Sequence, residues 1–457
     1  MNVHFIAIGG SAMHNLAIAL KLKGYRVSGS DDEVFEPSRS RLLNHELLPV
    51  ATGWFPEKIH KGLDAVIVGM HAKADNPELL KAQSLGLSVY SYPEFLYRQS
   101  EHKTRIVIGG SHGKTSITSM LLHVMQRCQV DTDYMVGAQL EGFQVMVRLT
   151  DEAPFMVMEG DEYPSSPMDP RPKFHLYRPH IALISGISWD HINVFKTFED
   201  YLEQFRKFIQ CAEDGGKLIY CIDDEQVKRL VEETAGDRLH LFPYGLPEYT
   251  IDKGITHIIF EGKSYPLQIF GRHNLLNLNA ARLLALQTGI SNEMFFEAIV
   301  DFKGASKRME LLYNNGSTMV IRDFAHAPSK LRATVEAVRE QFPSKHLVAC
   351  MELHTYSSLS EHFLSHYAGC MDAADEAIVF YSPHALALKK LPMLDPNKVA
   401  GAFQKERIRV IHDKEKLEEV LYHRSVSDSC FLMMSSGSFG GFDMHAWIRR
   451  IAFDGNQ

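Results

Sequence analysis

The chain has 457 residues, room for two to four domains, and its 45% hydrophobic and 23% charged content is that of an ordinary globular protein. Lysine plus arginine number 48 against 56 aspartate plus glutamate, a net charge of −8, which excludes attachment to nucleic acid or an anionic membrane through bulk charge. Cysteines at 128, 211, 221, 350, 370 and 430 show no CxxC or metal-ligand spacing, which excludes a disulfide scaffold or zinc ribbon and fits reduced cytoplasmic thiols. No apolar run reaches the ~18 residues of a membrane span, and the first residues lack the basic region of a secretory signal. The expectation is a cytoplasmic multi-domain enzyme.

Short apolar runs alternate with amphipathic stretches, the pattern of parallel sheets covered by helices. Strands are expected at His4–Ile8, Arg26–Ser28 and Ala65–Val68, with helices near Ala12–Lys23, Ser38–Asn44 and Pro77–Ser84. A polar stretch, Arg98–Arg105, marks a boundary. Strand Arg105–Ile108, a glycine loop and helix Lys114–Gln126 open a second unit. Strands Phe155–Met158 and Ile181–Ser185, helix Phe198–Ala212 and strand Lys217–Cys221 continue it. Residues 250–270 read as a short antiparallel excursion, and helices near Leu275–Thr288 and Asn292–Val300 close the unit. In a third unit, strands Met319–Arg322, His346–Met351, Ala377–Phe380, Arg407–Ile411 and Cys430–Met434 alternate with helices. The resulting division is 1–100, 101–305 and 306–457.

The sharpest motif is Gly109-Gly110-Ser111-His112-Gly113-Lys114-Thr115-Ser116, after a strand and opening a helix. Its backbone N–H groups and the helix N-terminus form a phosphate cradle, where Lys114 can reach terminal phosphates and Thr115 can ligate Mg²⁺. Ile108 stands where the common Walker spacing has glycine, so the loop is one residue short; a simple tight turn is the competing reading. Glu159-Gly160-Asp161-Glu162 ends a strand beside that loop and suits Mg²⁺, or else is a solvated acidic turn. Asp190-His191 follows the next strand. In Gly271-Arg272-His273-Asn274-Leu275-Leu276-Asn277, the two amides share a helix face, where they can read an adenine edge or simply cap the helix. Lys307-Arg308 sits at an inferred hinge, where Arg308 is either an arginine finger or an interdomain salt bridge. Arg322-Asp323-Phe324-Ala325-His326-Ala327-Pro328 ends the third unit's first strand, the ligand-bearing end of a doubly wound sheet. Near the N-terminus, Gly9, Gly10, Ser11 and Met13 form a glycine turn. Ser11 and His14 break the dinucleotide fingerprint, which leaves diphosphate binding open and nicotinamide binding weak. Gly29-Ser30-Asp31 can contact a ribose or sugar.

In this order the motifs resemble the Mur ligases of cell-wall synthesis, across the whole chain. The resemblance implies an α/β fold in three domains: a Rossmann-like UDP-sugar domain, a central P-loop ATPase-like domain with a mostly parallel sheet, and a Rossmann-like acceptor domain. It implies ATP and Mg²⁺ as cofactors and amide-bond formation through an acyl phosphate. Ser111–Ser116 resembles the family's short GTHGKT phosphate loop, which implies Gly110, Ser111, His112, Gly113, Lys114, Thr115 and Ser116 as nucleotide-binding residues. Glu159 and His191 match its metal residues, with Thr115 the third. His273, Asn274 and Asn277 match G-x-H-N-x-x-N, and Arg308 and Asp323 match the hinge arginine and the D-D-[YF]-A-H-H-P string. Lys114, Glu159, His191 and Arg308 are thereby the expected catalytic set. Gly186, Arg322 and Ala327 depart from the family strings, and Arg206 stands near the lysine that some relatives carbamylate, so no carbamate is expected.

The N-terminal glycine turn with Met13, together with Gly29-Ser30-Asp31, resembles the branch that binds bare UDP-N-acetylmuramate, which implies Gly10, Ser11, Ser30 and Asp31 as substrate-binding residues. Within it, Glu162-Tyr163 leading to Lys173-Phe174-His175-Leu176-Tyr177-Arg178-Pro179, and Met434–Gly441, resemble ligases that add a whole murein tripeptide, L-alanyl-γ-D-glutamyl-meso-diaminopimelate. Leu353-His354-Thr355 departs from their E-P-R-S-N string. The expectation is therefore tripeptide ligation in peptidoglycan recycling, by a monomer or weak homodimer with no nucleic-acid partner and no membrane insertion. Ligation of free L-alanine and a non-catalytic nucleotide-binding homologue are the alternatives.

Overall fold

The computed structural model describes residues 1–454 except 71, 138–142, 144, 167–168, 190–193, 305–307 and 423–426. The chain packs as two compact units. One comprises Met1–Ile187, Thr197–Gly245 and Asn279–Phe295; the other comprises Ser188–Lys196, Leu246–Leu278 and Phe296–Gln457.

In the first unit, strands β1 (Asn2–Ile6), β2 (Arg26–Ser30), β3 (Ala65–Val68) and β4 (Val89–Ser91) form a parallel sheet in the order β2-β1-β3-β4. Phe5, Ile6 and Val66 are completely buried, as strands covered on both faces require. The first strand ends earlier than its apolar run suggests. Ala7 takes a left-handed φ of 66°, and the N–H groups of Ala7 and Ile8 turn onto the Ser30 carbonyl. Conversely, β2 continues through Gly29 and Ser30, because glycine at 29 lets the strand pass Ile8; a Cβ there would stand 2.6 Å from its Cδ1.

The same unit holds a larger sheet. Its strands are β5 (Thr104–Gly109), β6 (Thr132–Met135), β7 (Val147–Arg148), β8 (Phe155–Glu159), β11 (Ile181–Ile184), β12 (Lys217–Cys221) and β13 (His240–Tyr244). Between β8 and β11 the strands β9 (Pro164–Ser166) and β10 (Asp169–Pro172) make a separate hairpin. The large sheet has the order β13-β12-β11-β5-β8-β6-β7, parallel except for the edge pair β6–β7. Central β5 is flanked by β11 and β8, so the glycine loop and the acidic string emerge side by side at the carboxyl ends of neighbouring strands. Phe174, just past the hairpin, stacks on Phe208 of helix Phe198–Gln210 at 4.6 Å and meets Phe205 edge-on. This aromatic cluster ties the 163–179 segment to the sheet.

In the second unit β14 (Tyr249–Asp252), β15 (Ile255–Phe260) and β16 (Lys263–Leu267) form the expected antiparallel excursion. The last sheet comprises β17 (Glu310–Asn314), β18 (Met319–Asp323), β19 (His346–Leu353), β20 (Glu376–Tyr381), β21 (Ile408–Ile411) and β22 (Ser429–Met434). Its order is β17-β18-β22-β19-β20-β21, with only β17 antiparallel. Period-two alternation sorts its apolar residues onto two cores: Ile321, Ala349, Val379 and Leu432 on one face, Val320, Cys350, Ile378 and Phe431 on the other. No helix among the described residues is long and apolar enough to cross a membrane.

Candidate active site

The glycine loop is built by backbone geometry that only glycine accommodates. Gly110 has φ +136°, and a Cβ there would lie 2.1 Å from Ser185 Oγ. Gly113 has φ +81° at the start of helix Lys114–Arg127, which has no side-chain cap. The helix therefore presents its first N–H groups to the loop. Ser111 N–H donates to the Gly186 carbonyl at 2.9 Å, and the Ser185 hydroxyl donates to the His112 carbonyl, so the strand next door fixes the loop.

The acidic string is not a solvated turn; its three carboxylates face three different partners. Glu159, 6% exposed, accepts the Thr115 hydroxyl at 3.1 Å. Asp161 takes Lys173 Nζ at 2.6 Å. Glu162 is wholly buried and takes Lys114 Nζ at 2.6 Å, while that ammonium also donates to the Gly110 carbonyl at 2.6 Å. Burial opposes the charge on Lys114, but Glu162, Asp161 and Glu159 outweigh it and hold the ammonium above its ordinary range. The Tyr201 hydroxyl donates to the second Glu162 oxygen at 3.0 Å and accepts from Ser111 Oγ at 2.8 Å. Thr115 and Glu159 form a hard-oxygen donor pair that fits Mg²⁺, and glycine at 137 leaves space beside it: a Cβ there would be 2.9 Å from Glu159 Oε2. Asp190 and His191 lie outside the described residues.

At the N-terminal sheet, Gly10 precedes helix Ser11–Leu22, which also lacks a side-chain cap. Asp31 accepts the Gly9 N–H at 2.6 Å, joining the two turns that carry Gly10, Ser11, Ser30 and Asp31. Burial raises the Asp31 carboxyl above its usual range, against the lowering effect of that N–H. Ser30 is fully buried and receives Lys58 Nζ at 3.1 Å.

Helix Arg272–Leu286, whose residues to Leu278 belong to the second unit, begins before Asn274 and Asn277, so neither caps it. Both are buried, and Asn274 donates back to the Phe270 carbonyl at 3.0 Å. Burial and the Arg308 guanidinium lower the His273 pKa, against Asp323. Arg308 lies over the Phe324 ring at 4.7 Å. Asp323 is engaged within the protein: it accepts the Met309 N–H at 3.0 Å and the Thr334 hydroxyl at 2.7 Å. The structure thus groups His273, Arg308 and Asp323. Lys114, Thr115 and Glu159 form a group of their own in the first unit.

Comparison with known proteins matches residues 2–104 to the model described as Mur ligase family, catalytic domain, 108–285 to the Mur ligase middle domain, and 307–437 to the Mur ligase, glutamate ligase domain. The chain is a member of the Mur ligase family. This Mur ligase has the three-domain α/β architecture of its family and is an ATP-dependent ligase that forms a C–N bond. It is 31% identical to the UDP-N-acetylmuramate–L-alanine ligase of Persephonella marina, over 79% of this chain and 78% of that protein. In fold it resembles the UDP-N-acetylmuramate-alanine ligase of Thermotoga maritima, with a TM-score of 0.70, 20% identity and complete coverage of both chains. It also resembles the UDP-N-acetylmuramate:L-alanyl-gamma-D-glutamyl-meso-diaminopimelate ligase of Neisseria meningitides, with a TM-score of 0.59 and 25% identity, over 66% of this chain and 98% of that one.

Two departures of this Mur ligase from the family strings have local causes. Gly186 leaves room for His112: a Cβ there would lie 2.3 Å from the imidazole Cε1. Arg322 pairs with Glu310 at 2.6 Å across the antiparallel edge β17–β18. Arg206 is held by Glu203 at 3.1 Å and by Thr234 at 3.1 Å on the helix surface. Sequence reasoning passed over Glu162 and Tyr201 as site residues. Glu162 carried a signal, an acid three residues after Glu159; Tyr201 carried none, being one aromatic of an amphipathic helix.

Proposed function

We propose that this Mur ligase joins the lactyl carboxylate of UDP-N-acetylmuramate to the α-amine of L-alanine, with ATP cleaved to ADP and phosphate. The observation that carries this reading is the placement of Lys114 and Thr115 against Glu162 and Glu159 at the carboxyl ends of β5 and β8. The relatives' names favour L-alanine over the tripeptide expected from the sequence. Loop N–H groups and Lys114 bind and orient the phosphates. The substrate carboxylate attacks the γ-phosphorus and ADP leaves; the amine then attacks the acyl carbon and phosphate leaves. Mg²⁺, when bound, offsets charge on the transferred phosphoryl group; Thr115 and Glu159 would hold it, with His191 the remaining candidate. Asn274 and Asn277 are assigned to the adenine side, Arg308 to phosphoryl charge, and Gly10, Ser11, Ser30 and Asp31 to the UDP-sugar.

A second reading, the tripeptide as acceptor, is favoured by the 163–179 segment with its β9–β10 hairpin and by the likeness to the Neisseria ligase. Both acceptors offer the same L-alanyl amine, so the chemistry is common and only the pocket differs. Phosphate release is measured with UDP-N-acetylmuramate, ATP and either acceptor. Release with L-alanine is expected. Release with tripeptide alone transfers the assignment to the second reading, and release with neither removes both acceptor assignments.

A further inference from the structure

Lys114 is already occupied. Its ammonium has three N–H donors, and two of them are committed, to the Gly110 carbonyl and to Glu162 Oε2, each at 2.6 Å. A nucleotide phosphate that draws more from Lys114 than its one remaining N–H therefore competes with a carboxylate. That carboxylate has no exposed surface, and its second oxygen is fixed by the Tyr201 hydroxyl at 3.0 Å. Tyr201 is itself buried and bonded to Ser111 in the loop, so moving Glu162 aside would break a chain of buried hydrogen bonds.

We propose that Glu162 is a positioning residue of the phosphate loop: the resident counter-ion that Lys114 exchanges for nucleotide phosphate. This rests on reading 110–116 as a phosphate loop. The pair with Glu162 and the bond to the Gly110 carbonyl place the Lys114 ammonium at the loop. Part of the phosphate's binding energy is used to replace this ion pair, so nucleotide affinity is set below what the loop and lysine alone would give. Tyr201 holds the counter-ion at a fixed place and couples it to Ser111.

The test is calorimetric titration of the purified full chain with ADP and with a non-hydrolysable ATP analogue, with and without Mg²⁺. Glu162→Gln keeps an oxygen for Tyr201 but removes the charge. It should bind both nucleotides about tenfold more tightly, the size of one charge-assisted hydrogen bond, with the larger gain in the absence of Mg²⁺. In a Lys114→Ala background the same substitution should give no gain. Glu162→Asp, which keeps the charge but withdraws it from Lys114, should give a smaller gain and serves if the Gln variant does not fold. Equal or weaker binding by either folded variant overturns the proposal, as does a gain that survives loss of Lys114. If Lys114→Ala itself leaves nucleotide binding unchanged, it is the phosphate-loop reading that fails. A merely structural Glu162 would lower affinity in both lysine backgrounds.

Discussion

Gly186 shows how a single departure from a family string acquires a physical reason. The resemblance expects asparagine there, yet the space its side chain would fill is taken by His112, 2.3 Å from a Cβ built on the glycine, with Asp224 Oδ2 at 3.2 Å on another side. Asp224 is itself committed to the Ile187 N–H at 2.9 Å. Gly186→Asn is therefore expected to destabilise the chain by about 1–3 kcal/mol through overpacking. Denaturant unfolding checks this, and His112→Ala combined with Gly186→Asn should recover most of the loss. An equal loss in the double variant would place the strain elsewhere. At this scale the sequence exposed the backbone-driven features well, because Gly110 and Gly113 have no substitute at their φ values. It did not expose which acid faces which partner. Glu159, Asp161 and Glu162 are close neighbours in sequence and contact Thr115, Lys173 and Lys114 respectively, a sorting set by β8 ending at Glu159 and the chain turning immediately after.

At the scale of elements, most of the strands that the sequence revealed carry continuous apolar runs, such as Ala65–Val68, Ile181–Ile184 and Ser429–Met434, all buried along their length. β12 (Lys217–Cys221) falls where its apolar run predicts, and the central strands of the last sheet differ from expectation by only a residue or two at their ends. The edge strands β2 and β21 were found, whereas the edge strands β13 and β17, which expose residues to solvent along their length, were not. Helix Tyr92–Gln99 was also missed, although Ser91 and Glu94 form a reciprocal capping box whose S-x-x-E signature is visible in the sequence. A buried charge ties two of the central strands together at their carboxyl ends. Glu352 of β19 accepts the hydroxyl of Ser435, just beyond β22, and the Phe439 N–H at 2.8 Å, with His354 Nδ1 3.6 Å away. Burial works against its ionisation, but His354, Ser435 and the Phe439 N–H prevail and hold the carboxyl below the usual range. Its folded pKa being depressed, the stability it contributes is present above the unfolded value, ~4.3, and is lost as pH falls through the lower folded value. Stability measured by denaturant should therefore drop on acidification below about pH 4. Glu352→Gln should lack that component and be less stable at neutral pH by about 1.5–3 kcal/mol. Identical pH dependence in the two proteins would mean that other carboxylates carry the effect.

Across the whole molecule, the doubly wound sheets were legible because their apolar runs alternate with amphipathic stretches throughout, and composition had already removed the competing classes. What the fold alone leaves open is the ligand of the N-terminal sheet, since the order β2-β1-β3-β4 with a glycine turn after β1 is shared with dinucleotide-binding proteins. Here the side chains decide. His14 stands where the dinucleotide fingerprint has its third glycine, the residue that lets helix and strand approach closely. It is 2% exposed and bonded within the protein, its Nδ1 lying 2.9 Å from the Gly10 carbonyl and 3.0 Å from Ser38 Oγ. Burial lowers its pKa, so at neutral pH it is an uncharged packing group linking the turn to helix Ser38–Asn44. Asp31 is likewise used inward and is raised in pKa by burial, so its part in the UDP-sugar site is to hold the Gly9–Gly10 turn, whereas a dinucleotide ribose would need it as a free acidic acceptor. A short diphosphate against the uncapped helix at Ser11 makes no such demand. The expected outcome in thermal unfolding of the full chain is stabilisation by UDP-N-acetylmuramate, about 2.7 kcal/mol at a hundredfold excess over its Kd, and no shift with NADH or NADPH. A shift with the nicotinamide cofactors and none with the UDP-sugar would reverse the assignment of the N-terminal sheet while leaving the phosphate loop at Lys114 untouched.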